Sequence, residues 1–160
     1  MNPNKNILVL CSHNSTRSQM AEAFLRKHGA DQFAVYSAGL NPTEIHPHTR
    51  QVMAEVGLHL EHQHAKPVRR FLGKLTVHHA IILGERTERE CPRFFLGAMR
   101  SHFWQFADPA AIEGGPEVQL RAFREVRDGI ERCVLNWLRE PEKADGPTSH
   151  QRTQEGRTAS

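Results

Sequence analysis

The sequence predicts an open α/β sheet, mostly parallel, with helices packed against it. Runs of aliphatic residues alternate along the chain with amphipathic segments of helical period, an order that favours parallel strands joined by helices. The first run, Lys5–Leu10, is continuously apolar from Ile7 onward, as in a strand covered on both faces. The length of 160 residues fits one domain of ordinary size. Ligands of such sheets bind beyond the carboxyl ends of the strands, so the loop after this run is the first candidate site.

The individual elements follow from local patterns. Strands are predicted over Lys5–Leu10, Phe33–Tyr36, Val77–Leu83 and His102–Trp104. Helices are predicted over a segment that carries Met20–Leu25 and ends at Gly29, over Pro47–Gly57 with Val52, Met53 and Val56 as its apolar stripe, over the short segment Pro67–Leu72, and from Pro116 onward. Apolar side chains recur at steps of three and four along the last helix, and we expect all of them in the core: Leu120, Phe123, Val126, Ile130, Cys133, Val134 and Trp137.

One folded domain is predicted over residues 1–140. The segment 141–160 offers little to bury beyond Ala144 and Ala159, and it is rich in Thr, Gly and Gln with balanced charge. We expect this segment to be a disordered tail.

Composition and charge exclude several classes of protein. The net charge of +3 permits an anionic partner, but Lys and Arg are spread without a basic block, so no nucleic-acid partner is expected. The longest apolar run, Ile7–Cys11, is too short to cross a bilayer, and the first residues lack the apolar stretch of a signal peptide. An odd count of three cysteines argues against a disulfide scaffold. We therefore expect a cytoplasmic protein with reduced thiols and no membrane partner.

The loop after the first strand combines a thiol with anion-binding features. Its sequence, Cys11–Ser18, has the pattern C-x5-R-S between an apolar strand and a helix. Amides of a tight loop at a helix N-terminus form an anion cradle, and Arg17 can hold a tetrahedral oxyanion with two parallel hydrogen bonds. The same surroundings favour the thiolate of Cys11, to which Ser18 can donate a hydrogen bond. The pattern predicts an activated nucleophile facing an oxyanion that is bound by Ser12, His13, Asn14, Ser15, Thr16 and Arg17. Asn14 is also expected to bond the loop backbone and to tolerate a left-handed conformation.

Further motifs follow this loop in order along the chain. They are Gln19–Ala23, Ser37–Gly39, His46–Pro47, Val52–Gly57, Cys91–Pro92 and Asp108–Ala110. With the C-x5-R-S loop they make the chain resemble the low-molecular-weight protein tyrosine phosphatases and the arsenate reductases that share their fold, from about Lys5 to Leu138. The resemblance implies a three-layer open sheet of four parallel strands flanked by helices. It also implies an enzyme whose nucleophile is Cys11.

Asp108 is the candidate general acid. A thiolate that attacks phosphorus or arsenic needs a proton for the departing oxygen, and a carboxylic acid across the pocket can supply it. By itself, the pair Asp108–Pro109 is only a turn signal. The acid role is what the resemblance implies, because the family places its general acid in this Asp-Pro pair.

Two local features favour an arsenate reductase over a phosphatase. In the tyrosine phosphatases, aromatic residues typically follow the Asp-Pro pair and hold the substrate ring, whereas Ala110–Ala111 follow it here. Those phosphatases usually carry Gly two residues after the nucleophile and Cys just before the Arg, whereas this chain has His13 and Thr16. The resemblance therefore implies reduction of arsenate to arsenite through Cys11, at a site for a small inorganic oxyanion such as arsenate, phosphate or sulfate.

One residue departs from the reductase pattern. Thioredoxin-linked reductases pass oxidation along three cysteines, and the second typically lies seven positions before a Cys-Pro pair. Cys91–Pro92 is present, but Gly84 stands where that second thiol is expected. Three outcomes stay open: Cys91 attacks Cys11 directly, an external thiol resolves the Cys11 adduct, or reduction is lost. Loss of reduction would leave a phosphatase that forms a phosphocysteine, or a non-catalytic oxyanion sensor.

No bound cofactor or metal is expected. The histidines His59, His62 and His64, with His78 and His79, match no standard zinc spacing and lack a nearby thiol. The chemistry requires only an external thiol reductant, which would be glutaredoxin with glutathione, mycothiol or thioredoxin. A thiol redox protein is therefore an expected partner.

Overall fold

The computed structural model describes residues 5–84 and 97–141. In these ranges the strands are β1 (Lys5–Cys11), β2 (Phe33–Gly39), β3 (His79–Leu83) and β4 (Arg100–Trp104). The α-helices of the same ranges are α1 (Arg17–Gly29), α2 (Pro47–Glu55) and α3 (Pro116–Arg139). Short 3-10 helices span Val68–Arg70 and Pro109–Ala111.

The described strands form a four-stranded sheet in the order β2-β1-β3-β4. Every pairing is parallel, with Val9 beside both Ser37 and Ile81, and Ile81 beside His102. The chain therefore moves from β1 to one neighbour and later returns to the other side of β1. The carboxyl end of β1 lies at this change of direction, where open α/β sheets bind ligands. The predicted sheet of four parallel strands flanked by helices is confirmed.

Strand β1 is buried on both faces, which explains its continuous aliphatic run. Ile7, Val9 and Cys11 belong to a core formed with α1, α2 and α3. Leu8 and Leu10 belong to a second core on the opposite face, which the first 3-10 helix helps to close. All five side chains are at most 2% exposed. The strand is thus fixed from both sides, and Cys11 is fixed at its end.

Strand bounds differ from the prediction where pairing with a neighbour decides them. The prediction ends the second strand at Tyr36, but β2 continues to Gly39 because its pairing with β1 continues that far. The third strand begins at His79 rather than Val77, where its pairing with β1 begins. The helix predicted over Pro67–Leu72 is reduced to a 3-10 helix of 3 residues.

The ends of α1 and α2 also correct the prediction. Gly29 is the last residue of α1, but it does not adopt the left-handed conformation of a helix-terminating glycine. A Cβ atom on Gly29 would stand 3.0 Å from Leu138 Cδ2, so the glycine allows α1 to pack closely on α3. Val56, predicted in the apolar stripe of α2, lies beyond the helix end and is 37% exposed. Gly57 does adopt a left-handed φ of 79°, in agreement with its predicted role.

The long amphipathic helix is confirmed, although Leu120 and Val126 are only partly buried against the core that was expected to include them. Helix α3 begins at Pro116 as predicted, and it buries Phe123, Arg127, Ile130, Val134 and Trp137. Cys133 is half-buried rather than part of the core, because it stands beside this row of side chains and not on it. Burial raises the pKa of the Cys133 thiol to about 11.

Two predictions fall largely on residues that the structure does not describe. Cys91 lies outside the described residues, and so does the predicted tail 141–160 apart from Pro141. Within the described ranges, none of the helices combines the length and the apolar character needed to cross a membrane.

Candidate active site

The segment between β1 and α1 turns a buried strand into the N-terminus of a helix. Cys11 is the last residue of β1 and Arg17 is the first residue of α1. Between them, Asn14 adopts a left-handed conformation with φ of 50°, as predicted, which asparagine tolerates better than most residues. The predicted nucleophile therefore lies at the floor of a tight turn, directly below the positive end of the α1 dipole.

The carbonyl groups of this loop are held by the scaffold around it. The carbonyl oxygens of Ser12, His13 and Ser15 accept hydrogen bonds from backbone N–H groups of the segment 41–46, at 2.8 to 3.2 Å. The Asn14 carbonyl accepts from a glutamine side chain of α1 at 2.9 Å. Because the C=O and N–H of a trans peptide unit point in opposite directions, these bonds turn the following N–H groups toward the interior of the loop. Such converging amides can bind an anion.

Several loop side chains are engaged with the same scaffold. Ser15 Oγ donates to the Glu44 carbonyl at 2.8 Å, and Thr16 Oγ1 accepts from Thr49 Oγ1 at 3.1 Å. His13 Nδ1 lies 3.1 Å from another carbonyl oxygen of segment 41–46. The contribution of Ser15 and Thr16 to an oxyanion site would therefore come from their backbone N–H groups.

The thiol of Cys11 lies against the hydroxyl of Ser18. Cys11 Sγ is 2.8 Å from Ser18 Oγ, and both residues are buried. Asn14 Nδ2 donates to Ser18 Oγ at 2.8 Å, so the Ser18 oxygen already accepts one hydrogen bond. The Ser18 hydroxyl hydrogen can therefore point to the sulfur, and this donation stabilises a thiolate. The contact predicted between these two side chains is present.

Arg17 reaches across the carboxyl ends of the strands toward Gly84 and Phe106. Its Nη1 donates to the Phe106 carbonyl at 2.8 Å. A Cβ atom on Gly84, which has a φ of 88°, would stand 2.5 Å from the same nitrogen. The position that lacks the second thiol of the reductase pattern is therefore in direct contact with the predicted oxyanion-binding arginine.

Asp108 begins the turn that follows β4. Its Oδ1 accepts a hydrogen bond from the Ala110 N–H at 3.0 Å. The carboxylate also acts electrostatically on His46, whose ring packs on Phe123 with centroids 4.8 Å apart. Burial lowers the pKa of His46 and the neighbouring His48 lowers it further, while Asp108 opposes both effects. Because the N–H of His46 is also bonded to the loop at Ser15, this region connects Asp108 to the C-x5-R-S loop.

Lys66 is a buried residue behind the loop that the sequence analysis does not single out. It is 8% exposed, and its backbone N–H donates to Asn14 Oδ1 at 2.9 Å. Its partners lie far away along the chain, so no local pattern marks it.

Within residues 5–84 and 97–141, no group of three His, Cys, Asp or Glu side chains is placed to hold a metal ion.

Fold and site together define a class of protein: a parallel α/β sheet with a thiol at the end of its switch-point strand, facing a C-x5-R-S loop. The family model for low molecular weight phosphotyrosine protein phosphatases matches residues 6–146. The chain belongs to this family of enzymes, as the sequence predicts.

Several relatives within the family are arsenate reductases. The arsenate reductase of Bacillus licheniformis is 35% identical over 130 residues, which are 79% of this chain and 89% of that protein. A solved structure described as an arsenate reductase in the phosphate binding state has a TM-score of 0.69 and 31% identity, covering 85% of this chain and 98% of the other. The glutaredoxin arsenate reductase of Synechocystis sp. is 40% identical over 67 residues, which are 42% of this chain and 51% of that protein.

Proposed function

We propose that this protein reduces arsenate to arsenite through the thiolate of Cys11. The observation that carries the proposal is the 2.8 Å contact between Cys11 Sγ and Ser18 Oγ, inside a loop whose carbonyl groups bond outward to the segment 41–46. A small tetrahedral oxyanion suits this cradle, and the arsenate reductases similar to this chain support arsenate as the substrate. Thiol chemistry of this kind needs a reducing compartment such as the cytoplasm.

The first step forms a bond between sulfur and arsenic. Arsenate is held by the loop amides and by the Arg17 guanidinium, whose Nη1 donates to the Phe106 carbonyl and which has further N–H groups for the anion. The Cys11 thiolate attacks arsenic, and one arsenate oxygen leaves as water after taking a proton from Asp108. The product is a covalent adduct in which arsenic is still in its oxidised state.

The second step transfers the electrons. A second thiolate attacks Cys11 Sγ, so that an S–S bond forms while the S–As bond breaks and its electron pair stays on arsenic. Two thiols are oxidised to one disulfide, and arsenic gains two electrons to become arsenite. We propose that the second thiol comes from outside, from glutathione with glutaredoxin, from mycothiol or from thioredoxin, because Gly84 stands where a second internal thiol is expected. Direct attack by Cys91 is the internal alternative.

A phosphatase is the second candidate, and the same residue favours it. The groups proposed for transfer of a phosphoryl group, Cys11, Arg17 and Asp108, are all present without a second thiol at Gly84. Cys11 would form a phosphocysteine, Asp108 would protonate the leaving alcohol, and water would release phosphate.

The experiment supplies reduced protein with arsenate and each donor system separately, and measures arsenite. p-Nitrophenyl phosphate hydrolysis is measured in parallel with the same preparation. We expect arsenite to form with at least one donor, faster than any phosphatase turnover. Robust phosphatase turnover without arsenite from any donor would replace the first candidate by the second, and tight oxyanion binding without either reaction would indicate a sensor.

A further inference from the structure

Lys66 places a buried positive charge directly behind the C-x5-R-S loop. Its side chain is mostly buried, a rare environment for lysine unless the ammonium has partners. Nζ donates to the His64 carbonyl at 2.9 Å and to Ser37 Oγ at 3.3 Å. Neither partner of Nζ belongs to the loop, so the hydrogen bonds of the ammonium group reach the nucleophile only through other groups.

Ser37 is the junction between Lys66 and a buried carboxylate. Ser37 Oγ donates its only hydrogen to Glu22 Oε2 at 2.8 Å, and Glu22 is 1% exposed. The lone pairs of the Ser37 oxygen then accept from Lys66 Nζ and from Asn14 Nδ2, the latter at 3.0 Å. Because the hydroxyl hydrogen is committed to the carboxylate, the direction of both accepted bonds is fixed.

The same directionality extends to the sulfur. One Asn14 amide hydrogen is used by Ser37 and the other by Ser18 Oγ, while Asn14 Oδ1 accepts from the Lys66 backbone. When Cys11 is a thiolate its sulfur can only accept, so Ser18 donates its own hydrogen to Cys11 Sγ. An unbroken series of hydrogen bonds thus joins Lys66 to the Cys11 thiolate.

We propose that Lys66 is a positioning residue for the Cys11 thiolate, acting through Ser37, Asn14 and Ser18. Its ammonium group and the Glu22 carboxylate together hold the Ser37 hydroxyl, which accepts from the Asn14 amide. The Lys66 backbone N–H holds the oxygen of the same amide, so that Asn14 stays in place to position Ser18 against the sulfur. The inference rests on the proposed role of Cys11 as nucleophile, but it holds whichever oxyanion the enzyme takes.

The charges around this series come from several elements. Burial lowers the pKa of Lys66, Glu22 raises it, and Arg26 and Arg70 lower it. The Glu22 carboxylate therefore favours the charged ammonium, whereas the two arginines disfavour it. The groups that face the loop itself are Arg17 on α1, His13 in the loop, and His46 with Asp108 from the adjoining segments. None of these is altered by a change at Lys66, so a shift in Cys11 reactivity comes either from the series of hydrogen bonds or from the lost Lys66 charge itself, and a double-mutant cycle with Ser18 distinguishes the two.

The test is the rate of Cys11 alkylation by iodoacetamide between pH 5 and pH 9, read by peptide mass spectrometry without arsenate. We expect Lys66→Met to slow the reaction about three- to tenfold at pH 6 and to move the profile to higher pH, because less thiolate is present. The matched control is Lys74→Met, which removes an exposed lysine of the same segment and should leave the profile unchanged.

A double-mutant cycle separates positioning from a general loss of structure. Ser18→Ala should slow alkylation similarly, and Lys66→Met added to Ser18→Ala should cause no further loss, because both act through the same hydrogen bond. If Lys66→Met does not fold, Ser37→Ala gives the same reading with Lys66 in place. Wild-type profiles in Lys66→Met or Ser37→Ala, or additive losses in the double variant, would overturn the inference. Failure to form arsenite would refute the proposed function and leave the role of Lys66 untouched, because alkylation needs no arsenate.

Discussion

Gly84 lies so close to Arg17 that a Cβ atom at position 84 would stand 2.5 Å from Arg17 Nη1. Its φ of 88° is also strained for any residue with a side chain, and its N–H donates to the Trp104 carbonyl at 3.1 Å. A cysteine here is therefore opposed both by backbone conformation and by the arginine. The glycine that replaces the second thiol of the reductase pattern is thus the residue that leaves room for Arg17, the predicted oxyanion-binding residue.

Gly84→Cys is accordingly expected to impair the enzyme rather than to restore an internal thiol relay. The new side chain must displace the Arg17 guanidinium, and misplacement of a substrate-holding group by about 1 Å can cost on the order of 100-fold in rate. The measurement is kcat/KM for arsenate with thioredoxin and with glutaredoxin–glutathione. Gly73→Ala is the matched control, because Gly73 has a similar φ of 70° with open space around it and isolates backbone strain from the clash. A gain of thioredoxin-dependent turnover in Gly84→Cys would contradict this explanation.

Asp108→Asn is expected to slow catalysis about 10²- to 10⁴-fold, because the departing oxygen would lose its proton donor. Alkylation of Cys11 by iodoacetamide should be unchanged, since that reaction needs only the thiolate. Steady-state rates over a range of pH, measured beside the exposed-residue control Asp31→Asn, check the prediction. A loss of less than threefold would remove Asp108 from the mechanism.

Cys133 is expected to react far more slowly than Cys11. Burial raises the pKa of the Cys133 thiol to about 11, so almost none of it is thiolate at neutral pH. A time course of iodoacetamide labelling at pH 7, followed on the separate peptides, should show Cys11 modified first and protected by arsenate. Equal labelling of the two peptides would show that the half-buried position of Cys133 does not limit its reactivity.

Glu55 of α2 forms ion pairs with Arg124 and Arg127 of α3. We expect these ion pairs to make the stability of the fold depend on pH. The hydrogen bond from Arg124, with a smaller contribution from Arg127, lowers the pKa of Glu55 from 4.5 to about 2. A lowered carboxyl pKa stabilises the folded state above about pH 4.5, and the effect is lost as pH falls toward 2. Glu55→Gln should therefore reduce the free energy of unfolding by about 0.5–1 kcal/mol at pH 7, the range of exposed ion pairs, and by progressively less below pH 4.5.

Urea unfolding at pH 7, 4 and 3 measures this difference, with Glu61→Gln as the control at an exposed carboxylate. A constant difference between Glu55→Gln and the wild type across this range would show that the ion pair does not account for it.

The elements of the active loop could be predicted because they are local in sequence. The apolar strand before Cys11, the turn through Asn14 and the helix that begins at Arg17 are adjacent, and each follows from residue types within a few positions. The contact of Cys11 with Ser18 also joins two residues of this same short segment. Local patterns therefore sufficed to predict the contact between Cys11, the proposed nucleophile, and Ser18.

The support behind the loop could not be predicted in the same way. Lys66 reaches Asn14 across 52 positions of sequence, and Arg17 reaches Phe106 across 89. These contacts depend on the order of strands in the sheet, which brings distant loops to one edge. Cys133 is a second example. Helical spacing predicts which face of α3 is apolar, but it does not predict how much of that face the neighbouring elements bury, and Cys133 is only half-buried.

The central claim, reduction of arsenate by the Cys11 thiolate, is tested most directly by measuring arsenite formed from arsenate by the wild type, Cys11→Ser and Cys133→Ser in the presence of the best thiol donor. Each variant loses one thiol, so the comparison controls for the number of cysteines. We predict wild-type rates for Cys133→Ser and no arsenite above background for Cys11→Ser. Arsenite formation by Cys11→Ser at a rate near that of the wild type would contradict the account.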